Sequence, residues 1–361
     1  MWEDGRAPVL PRLEEPFEAD VCVIGLGGSG LSAILRLLEH GRSVIGLDAR
    51  TVGGGAAGRN GGFFLAGAPA FHHHARSAPL YRATLAELER MEAETPGIIR
   101  RTGSLRVALS PEEEADCAAQ LAAMRSDDLP VEPYVGPEGS GLLFPADGAG
   151  NPLARCRALA RTALAGGARL FGESPAVAIE AGRVVVGGSG AIVECDRVVV
   201  AVDGGLERLL PELAGRVRTT RLQMLATAPA PEVHIPRPVY ARWGFDYWQQ
   251  LPDGRVAAGG LRDRFGDAEW EQPDEPTDDV QRALEAMVRE RTGVRAPVTH
   301  RWAGTVSFTI GEDAAHVPIA EEVRPGVFAI GAYSGTGNVL GALYGRAAAD
   351  WTVTGILSPP W

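Results

Sequence analysis

The chain has 361 residues, of which 45% are apolar and 22% are charged, and its formal net charge is −11. This length and composition predict a globular protein with material for two domains, and the negative charge disfavours nucleic acid or an anionic membrane as a partner. All 35 basic residues are arginine, which excludes chemistry that requires lysine, such as a pyridoxal Schiff base or a P-loop.

No run of the sequence approaches the roughly 18 apolar residues of a membrane span, and the acidic N-terminus lacks the pattern of a secretory signal. The cysteines Cys22, Cys117, Cys156 and Cys195 are widely scattered, so we predict neither a disulfide framework nor a structural zinc site. We therefore expect a cytoplasmic protein.

The first elements in chain order form a predicted βαβ unit. ADVCVIGLGGSG (residues 19–30) is typical of a buried strand that runs into glycines, LSAILRLLEHG of a helix, and SVIGLDAR of a second strand. Gly25, Gly27 and Gly30 form a GxGxxG motif, which permits a tight turn, the approach of a pyrophosphate and close packing of the helix. Asp48 stands 18 residues after Gly30, where an acid can bind a ribose hydroxyl. The unit predicts dinucleotide binding, with an incidental glycine turn as the alternative.

Two further glycine-rich segments favour FAD over NAD. GGGAAGRNGG (residues 53–62) has six glycines in ten residues, and bare backbone there suits the second phosphate and the flavin of the longer cofactor. Arg59 adds a positive charge. PGVFAIGAYSGTGN (residues 325–338) repeats the pattern of a strand and a glycine turn. It predicts a second helix N-terminus at the site, which suits the negative charge of a reduced flavin.

The remaining predicted elements are helices and short strands. Helices are predicted at residues 76–95, in SPEEEADCAAQLAAMRS after a Ser-x-x-Glu capping box, in NPLARCRALARTALAGGA and in TDDVQRALEAMVRERTG. Short strands with glycine turns are predicted at 169–202, and LPDG (residues 251–254) marks a hairpin in a strand-rich middle portion.

Four blocks of the sequence resemble the FAD-dependent D-amino-acid oxidase superfamily, which includes glycine, sarcosine and γ-glutamylputrescine oxidases. They are ADVCVIGLGGSG with LDAR, GAAGRNGG, PVYARWGFDYWQQLPDGRVAAGG, and WAGTVSFTIGEDAAHVPI with GAYSGTGNVLGALYGRAAAD. The blocks occur in the family's order over nearly the whole chain, and the Arg-Asn-Gly-Gly variant is most similar to the γ-glutamylputrescine oxidase-like branch. The resemblance implies an α/β fold, in which a Rossmann-type FAD-binding lobe is interleaved with a largely antiparallel β-sheet substrate lobe. The FAD lobe is expected at 15–65, 150–215 and 300–361, and the substrate lobe at 66–149 and 216–299.

The resemblance also implies which residues hold FAD. Ala57, where the family often has Ser, would contact the pyrophosphate through backbone only, and Val177 would hold the adenine by its main chain. The other expected contacts are Gly25, Gly27, Gly28, Ser29 and Gly30 at the phosphates, Asp48, Ala49 and Arg50 on the adenosine side, Arg59, Asn60, Gly61 and Gly62 along the flavin, and Gly335, Thr336, Gly337 and Asn338 at its O2 end. Some members attach FAD to a cysteine near the WAG block. Residues 306–308 here contain none, so we expect non-covalent FAD.

For the substrate, the resemblance points to the strand FDYWQQ (residues 245–250). Strand alternation places Phe245, Tyr247 and Gln249 on one face, which we expect to face the flavin. Asp246 lies on the other face, where we expect an exposed strand residue, with attraction of a cationic amine as the alternative. The candidate substrate residues are Tyr247, Gln249, Phe64, Trp243 and Arg242. Each of the aromatic residues in this set, like Phe63 beside them, is also compatible with a place in the core.

Two other features bear on ligands. Val306 stands about where glycine oxidase-type members have a carboxylate-binding arginine. Its place there favours an amine as substrate, or an amino acid whose carboxylate is held by Arg242 or Arg262.

The segment His72-His73-His74 suggests a metal site, but consecutive side chains diverge and no acid stands at ligand spacing in the sequence, so we predict no metal site. His316 is a candidate for contact with substrate or flavin.

The implied reaction is oxidation of a C–N bond in an amine or N-substituted amino acid. Hydride passes from the carbon beside nitrogen to flavin N5, and water hydrolyses the resulting imine. Oxygen is the expected acceptor, giving H2O2. Sarcosine oxidases activate oxygen with a lysine that this chain lacks, so a dehydrogenase with another acceptor stays open. A non-catalytic FAD-binding subunit and a plain NAD dehydrogenase also stay open.

Overall fold

The computed structural model describes residues 1–3, 7–311, 317–356 and 359 of the chain. The helices are α1 (Gly28–Glu39), α2 (Ala78–Glu94), α3 (Pro111–Ser126), α4 (Pro152–Ala165), α5 (Leu206–Leu209), α6 (Arg262–Phe265), α7 (Asp278–Thr292) and α8 (Gly337–Thr354). The strands are β1 (Phe17–Ile24), β2 (Val44–Leu47), β3 (Phe63–Phe64), β4 (Ile99–Arg100), β5 (Ser104–Ala108), β6 (Glu132–Gly136), β7 (Gly139–Phe144), β8 (Gly148–Gly150), β9 (Arg169–Phe171), β10 (Ala176–Glu180), β11 (Arg183–Val186), β12 (Ile192–Val200), β13 (Val217–Pro229), β14 (Val239–Ala241), β15 (Asp246–Gln250), β16 (Arg255–Gly260), β17 (Val298–Thr309), β18 (Ile319–Arg324) and β19 (Val327–Gly331).

The first sheet has a parallel centre. Its order is β10-β11-β12-β1-β2-β9, with β19 paired in parallel to the end of β12 and β18 antiparallel to β19. Side chains of β1 alternate between two cores: Val21 and Val23 pack with α1, α4 and α8, whereas Cys22 and Ile24 pack on the opposite face. A strand buried on both faces needs a continuous apolar run, which explains the sequence VCVI.

Helices α1 and α8 pack at very short range. A Cβ atom at Gly345 would lie 2.2 Å from the carbonyl oxygen of Ser29, so a larger residue cannot occupy that position. In the same way, a Cβ atom at Gly30 would lie 1.9 Å from the Gly25 carbonyl oxygen, which is the close packing that the motif predicts. The N-terminal residues of both helices, Gly28 and Gly337, consequently line one cavity.

The second sheet is largely antiparallel, in the order β17-β13-β16-β15-β14-β5-β7-β6. Only the β14–β5 pair among its described pairs is parallel. The LPDG sequence forms the predicted hairpin turn between β15 and β16, where Gly254 N–H donates to the Leu251 carbonyl at 2.9 Å. Helix α7 packs on this sheet and ends at Gly293, which adopts a left-handed φ of 72°.

A small third sheet, β3-β8-β4, carries the Phe63–Phe64 strand. The predicted fold class, a Rossmann-type sheet combined with a largely antiparallel sheet, is confirmed. The lobe boundaries stay a prediction, with one observed difference: β17 (Val298–Thr309) pairs with β13 in the second sheet, although the sequence assigns residue 300 onward to the FAD lobe. None of the helices in the described ranges is long and apolar enough to cross a bilayer.

Candidate functional site

A cavity of about 940 Å³ runs between the first and second sheets. Its wall includes the GxGxxG turn, the glycine-rich segment after β2, the turn before α8 and the aromatic strand β15. Residues predicted to bind a cofactor that line it are Gly25, Gly27, Gly28, Ser29, Asp48, Ala49, Arg50, Ala57, Arg59, Asn60, Gly61, Gly335, Thr336, Gly337 and Asn338. The fold therefore brings together segments that are more than 250 residues apart in sequence.

The first glycine turn is held by Asp48. One carboxylate oxygen accepts the Leu26 N–H at 2.8 Å, and the other accepts the Arg50 N–H at 2.8 Å. Burial raises the pKa of Asp48, although both hydrogen bonds oppose that shift. Gly25 has a φ of +105°, and a Cβ there would lie 2.6 Å from the Ala201 carbonyl oxygen. The turn thus presents the free N–H groups of the first turn of α1 to the cavity, an arrangement that favours an anion.

Asn60 and Asn338 fasten the glycine-rich segment to the start of α8. The Asn60 amide contacts the Ala57 carbonyl at 3.0 Å and Asn338 Oδ1 at 3.1 Å. In return, Asn338 Nδ2 donates to Asn60 Oδ1 at 3.0 Å and to the Phe63 carbonyl at 2.7 Å. Asn60 Oδ1 also accepts the Gly62 N–H at 2.8 Å. These bonds make the two predicted flavin-lining segments one rigid unit.

Arg50 and Arg59 share one carboxylate. Both guanidinium groups pair with Asp274, at 2.7 Å for Arg59, and Arg59 also donates to the Ala303 carbonyl at 3.1 Å. The hydrogen bond from Arg50 is the main cause that lowers the pKa of Asp274. The three groups carry a net charge of +1, so part of their positive charge remains available to an anion in the cavity.

Arg155 is a cavity residue that sequence reasoning missed. It lies in the first turn of α4 and is 3% exposed, and its Nε and Nη2 atoms have no hydrogen-bond partner among the described residues. Glu94 lies 3.5 Å from Nη2 as an ion pair, and Nη1 lies 3.6 Å from the position of a Cβ on Gly28. Burial lowers the pKa of Arg155. A buried guanidinium with free donors beside the glycine turn suits a phosphate.

On the other side of the cavity, Tyr247 faces inward. Its ring lies 3.4 Å from the position of a Cβ on Gly61 and packs edge-to-face on Phe63, with 6.0 Å between the ring centroids. Phe64 is fully buried and Trp243 half-exposed, and both line the cavity. The structure therefore gathers the predicted aromatic residues around one space, and their contact with a substrate stays a prediction.

Gln249 has a different place from the predicted one. It is buried and does not line the cavity in the described structure; its side-chain amide donates to the carbonyl oxygen of Gly61. Tyr247 and Gln249 share a face of β15, as predicted. The hydrogen bond to Gly61 holds the Gln249 side chain behind the cavity wall. The residue positions the glycine-rich segment.

Arg242 is also outside the cavity wall. It donates to Asp246 at 2.8 Å and pairs with Asp263, so its charge is neutralised within the protein. Asp246, expected as an exposed strand residue, is fully buried in this pair, and burial raises its pKa. Of the two candidate arginines, Arg262 is the one that lines the cavity.

Arg262 lines the cavity and has no ion pair or hydrogen bond to any described residue. Its guanidinium lies 4.4 Å from the ring centroid of Phe308 and 5.4 Å from that of Phe245, which stabilises the cation through aromatic faces. Burial lowers its pKa. An arginine held in this way is available to an anionic group of a ligand.

Three predicted cofactor residues lie away from the cavity surface. Gly30 serves packing, as described above. Gly62 lies behind the wall, with a φ of +72° and its carbonyl accepting the Gly150 N–H at 2.9 Å. Val177 is 61% exposed, lies at a register irregularity in β10 and does not line the cavity. His316 lies outside the described residues.

The turn before α8 rests on Asp203. Its carboxylate accepts the Ser307 and Tyr333 N–H groups, each at 3.3 Å, and burial raises its pKa to about 6. Asp203 lines the cavity beside Ser334 and Gly335. The sequence did not predict a role for Asp203, because the glycine pattern of the turn before α8 does not indicate that an acid 130 residues earlier binds it.

The three consecutive histidines contact acids in α3 and directly after it. His72 Nε2 contacts Asp127 at 2.6 Å, and His73 and His74 contact the same oxygen of Asp116 at 2.9 and 3.2 Å. No acid stands at ligand spacing in the sequence, but the fold brings Asp116, 43 residues after His73, to the histidines. Potential ligand atoms of His73, His74 and Asp116 lie within 4.8 Å of one another, but Arg106 also pairs with Asp116. The absence of a metal stays a prediction.

Comparison with known proteins agrees with this geometry. The profile of the family described as FAD dependent oxidoreductase (DAO) matches residues 20–351. The probable oxidoreductase OrdL of Rhizobium meliloti (strain 1021) is 28% identical over 379 residues, which cover 95% of this chain and 85% of that protein. Gamma-glutamylputrescine oxidoreductase of Escherichia coli (strain K12) is 52% identical over 50 residues, 14% of this chain and 12% of that protein.

Solved structures share the fold. Glycine oxidase from Geobacillus kaustophilus has a TM-score of 0.77 at 19% identity, covering 93% of this chain and 95% of its own. L-proline dehydrogenase from P. horikoshii has a TM-score of 0.77 at 18% identity, covering 94% of both chains.

Proposed function

The chain belongs to the FAD-dependent oxidoreductase (DAO) family, and we propose that it oxidises the C–N bond of an amine or amino acid to an imine. The main support is Arg262, a half-buried cation that forms no ion pair with the described residues and lies in the wall of the cavity that also contains the dinucleotide-binding turns. An anionic group of the substrate would complete its coordination, so an amino acid is favoured over a simple amine.

The residues of the cavity fit FAD. The free N–H groups at the start of α1 suit the pyrophosphate, as does Arg155, whose Nε and Nη2 form no hydrogen bond with the described residues. Asp48 lies at the end of β2, where it would accept a ribose hydroxyl. Asn60, Gly61 and the turn at Gly335 would hold the flavin. No cysteine occurs at 306–308, which supports non-covalent binding.

Bound FAD supplies the hydride acceptor for the carbon beside the nitrogen, and the imine then hydrolyses in water. The protein's own part is to orient that carbon and to exclude water. Tyr247, Phe63 and Phe64 would form an apolar wall around it, while Arg262 would fix an anionic end of the substrate. Fixed orientation of this kind contributes much of the rate acceleration in enzymes. The start of α8 would place positive potential near the flavin.

For the electron acceptor, we propose oxygen, giving H2O2. The alternative is a dehydrogenase that passes electrons to another acceptor. Lysine is absent from the whole chain, so a lysine cannot assist oxygen, and this keeps the alternative relevant. Rapid reoxidation of the reduced enzyme in air, within seconds, would support the oxidase; reoxidation over minutes would support the dehydrogenase.

The test of the reaction is an anaerobic titration of the purified yellow protein with primary, secondary and N-methyl amines and with amino acids of both chiralities. We expect loss of the visible flavin absorbance with some of these donors, and recovery of the corresponding carbonyl product. If the whole panel leaves the bound flavin oxidised, the proposed reaction is wrong and the non-catalytic FAD-binding subunit is favoured.

A further inference from the structure

A buried acid lies in the wall of the same cavity as Arg262. Asp147 lines the cavity and is 2% exposed. One carboxylate oxygen accepts the Ala66 N–H at 2.9 Å, and the other accepts the Ser104 hydroxyl at 2.6 Å. Both donors are neutral, and no arginine or histidine of the described residues forms an ion pair with Asp147. Burial raises its pKa to about 7. The charge of Arg101 acts on this carboxylate from beyond ion-pair distance, and the carboxylate retains lone pairs for further donors.

A tyrosine hydroxyl accompanies this acid. Tyr81, on α2, lines the cavity and is 5% exposed, and its hydroxyl has no hydrogen-bond partner among the described residues. Tyr81 lies beside the segment that binds Asp147, because a Cβ on Gly67, the residue after Ala66, would lie 3.0 Å from the Tyr81 ring. Burial and the charge of Asp147 both raise the pKa of Tyr81. A buried hydroxyl without a partner costs stability unless a ligand satisfies it.

The two groups lie close to the segment predicted to line the flavin. Phe63, whose carbonyl accepts from Asn338, is three residues before Ala66, whose N–H binds Asp147. Three residues of chain span at most about 10 Å, so Asp147 lies within the reach of an elongated substrate whose reacting carbon is at the flavin. Tyr240 and Phe144 line the cavity beside them.

We infer that Asp147 and Tyr81 form a cation-binding subsite, so that the substrate carries a positively charged group in addition to the nitrogen that is oxidised. This inference rests on the proposed function and narrows its substrate class to molecules with a distal ammonium or guanidinium group. Such a group would donate to the free lone pairs of Asp147 and to the Tyr81 oxygen. Arg262 and Asp147 then place opposite charges in the cavity wall. The matching substrate carries an anionic group for Arg262 and a cationic group for Asp147.

If the role of Asp147 is only structural, the carboxylate serves to hold Ala66 and Ser104 in place through its two hydrogen bonds. That role accounts for the carboxylate but leaves the unpartnered Tyr81 hydroxyl without explanation. The Tyr81→Phe variant separates the two accounts: it removes a hydroxyl that bonds to no described residue, so the fold should be unaffected, whereas a cation-binding subsite should be weakened.

The experiment uses two ligands that differ only in a terminal ammonium group, racemic lysine and racemic norleucine. Their binding to the FAD-loaded protein is measured under anaerobic conditions from the change in flavin absorbance, and from the shift in unfolding temperature. We expect lysine to bind at least about tenfold more tightly than norleucine, the value of one charged hydrogen bond. Tyr81→Phe and Asp147→Asn should each reduce this ratio and leave norleucine binding unchanged.

The matched control is Tyr134→Phe, which removes a hydroxyl that binds Glu138 outside the cavity; it should leave the ratio unchanged. Equal binding of the two ligands, no binding of either, or a ratio that survives both cavity variants would overturn the subsite. The proposed reaction fails separately, if no amine or amino acid of the wider panel reduces the flavin. Reduction by donors without any preference for a distal charge overturns the subsite alone.

Discussion

The side-chain amide of Gln249, in the second sheet, donates a hydrogen bond to the carbonyl oxygen of Gly61, in the glycine-rich segment that follows the first βαβ unit. The two residues are 188 positions apart. Gln249 is buried and Gly61 is half-buried. This bond ties the sheet that carries the predicted substrate residues to the segment predicted to lie along the flavin. The relative position of the two sides of the cavity therefore depends on the Gln249 side chain.

Replacing Gln249 with Leu should weaken FAD binding. The Gly61 carbonyl would lose its donor, and a buried acceptor without a partner costs about 1–3 kcal/mol. Gln250→Leu is the matched control, because Gln250 bonds to Ala230 and Gly254, away from the cavity. Both variants should lower the free energy of unfolding, but only Gln249→Leu should lose flavin on dialysis. Equal flavin content in the two variants would contradict the role assigned to this bond.

Replacing Arg155 with Met should weaken the binding of phosphate-bearing ligands selectively. We expect the affinities of the apoprotein for FAD and for ADP to fall by at least about tenfold, since hydrogen bonds to charged groups contribute about 1.5–3 kcal/mol. Adenosine, which lacks the pyrophosphate, should bind as before. The measurement is calorimetric titration of the apoprotein with each ligand.

The control for Arg155 is Arg346→Met, which removes a buried guanidinium paired with Glu87 and Glu94 but absent from the cavity wall. This variant should lose stability and keep its preference for ADP over adenosine. If both arginine variants weaken ADP and adenosine alike, Arg155 has a structural role only and does not bind the pyrophosphate.

Gly62 should tolerate no side chain. Its φ of +72° disfavours other residues, and a Cβ would lie 2.3 Å from the Gly150 carbonyl oxygen. We expect Gly62→Val to lower the unfolding temperature and to release FAD. Gly55→Ala is the control within the same segment, because a Cβ there meets no atom within 4 Å; its unfolding temperature should match the wild type. A fully yellow, equally stable Gly62→Val protein would show that the backbone path is different.

The stability of the protein should depend on pH through Asp147. Its folded-state pKa of about 7 lies above the value of about 3.9 in an unfolded chain. The protonated form is therefore favoured on folding, and this contribution is present below about pH 4 and is lost as the pH rises towards 7. Over that window, the Asp147→Asn variant should gain stability relative to the wild type, by up to roughly 4 kcal/mol. Urea unfolding at several pH values measures this difference, and a difference that is independent of pH would contradict the raised pKa.

The glycine motifs were the most predictable part of the site, since their function depends on local spacing. The GxGxxG turn, Asp48 and the turn before α8 each occupy a short stretch of sequence, and a strand followed by glycines and a helix determines where they lie. The face of β15 that carries Tyr247 was also predictable, because strand alternation is a local property.

The charged residues were not predictable from the sequence, because their roles depend on partners far along the chain. Arg242 and Arg262 were equivalent candidates until the structure showed that Asp246 and Asp263 neutralise Arg242. Arg155 reaches the glycine turn through helix packing, at a place where Gly28 lacks a side chain. No spacing rule connects these positions.

The proposed reaction requires bound FAD to accept a hydride from the carbon beside a nitrogen. The most direct measurement is the rate of flavin reduction in an anaerobic stopped-flow instrument, with a substrate from the panel and with the same substrate deuterated at that carbon. We predict that deuteration slows reduction several-fold and that the product is the carbonyl compound formed from the imine. Hydride transfer to FAD is contradicted if the flavin stays oxidised with every donor. It is also contradicted if deuteration leaves the rate of reduction unchanged for every donor tested.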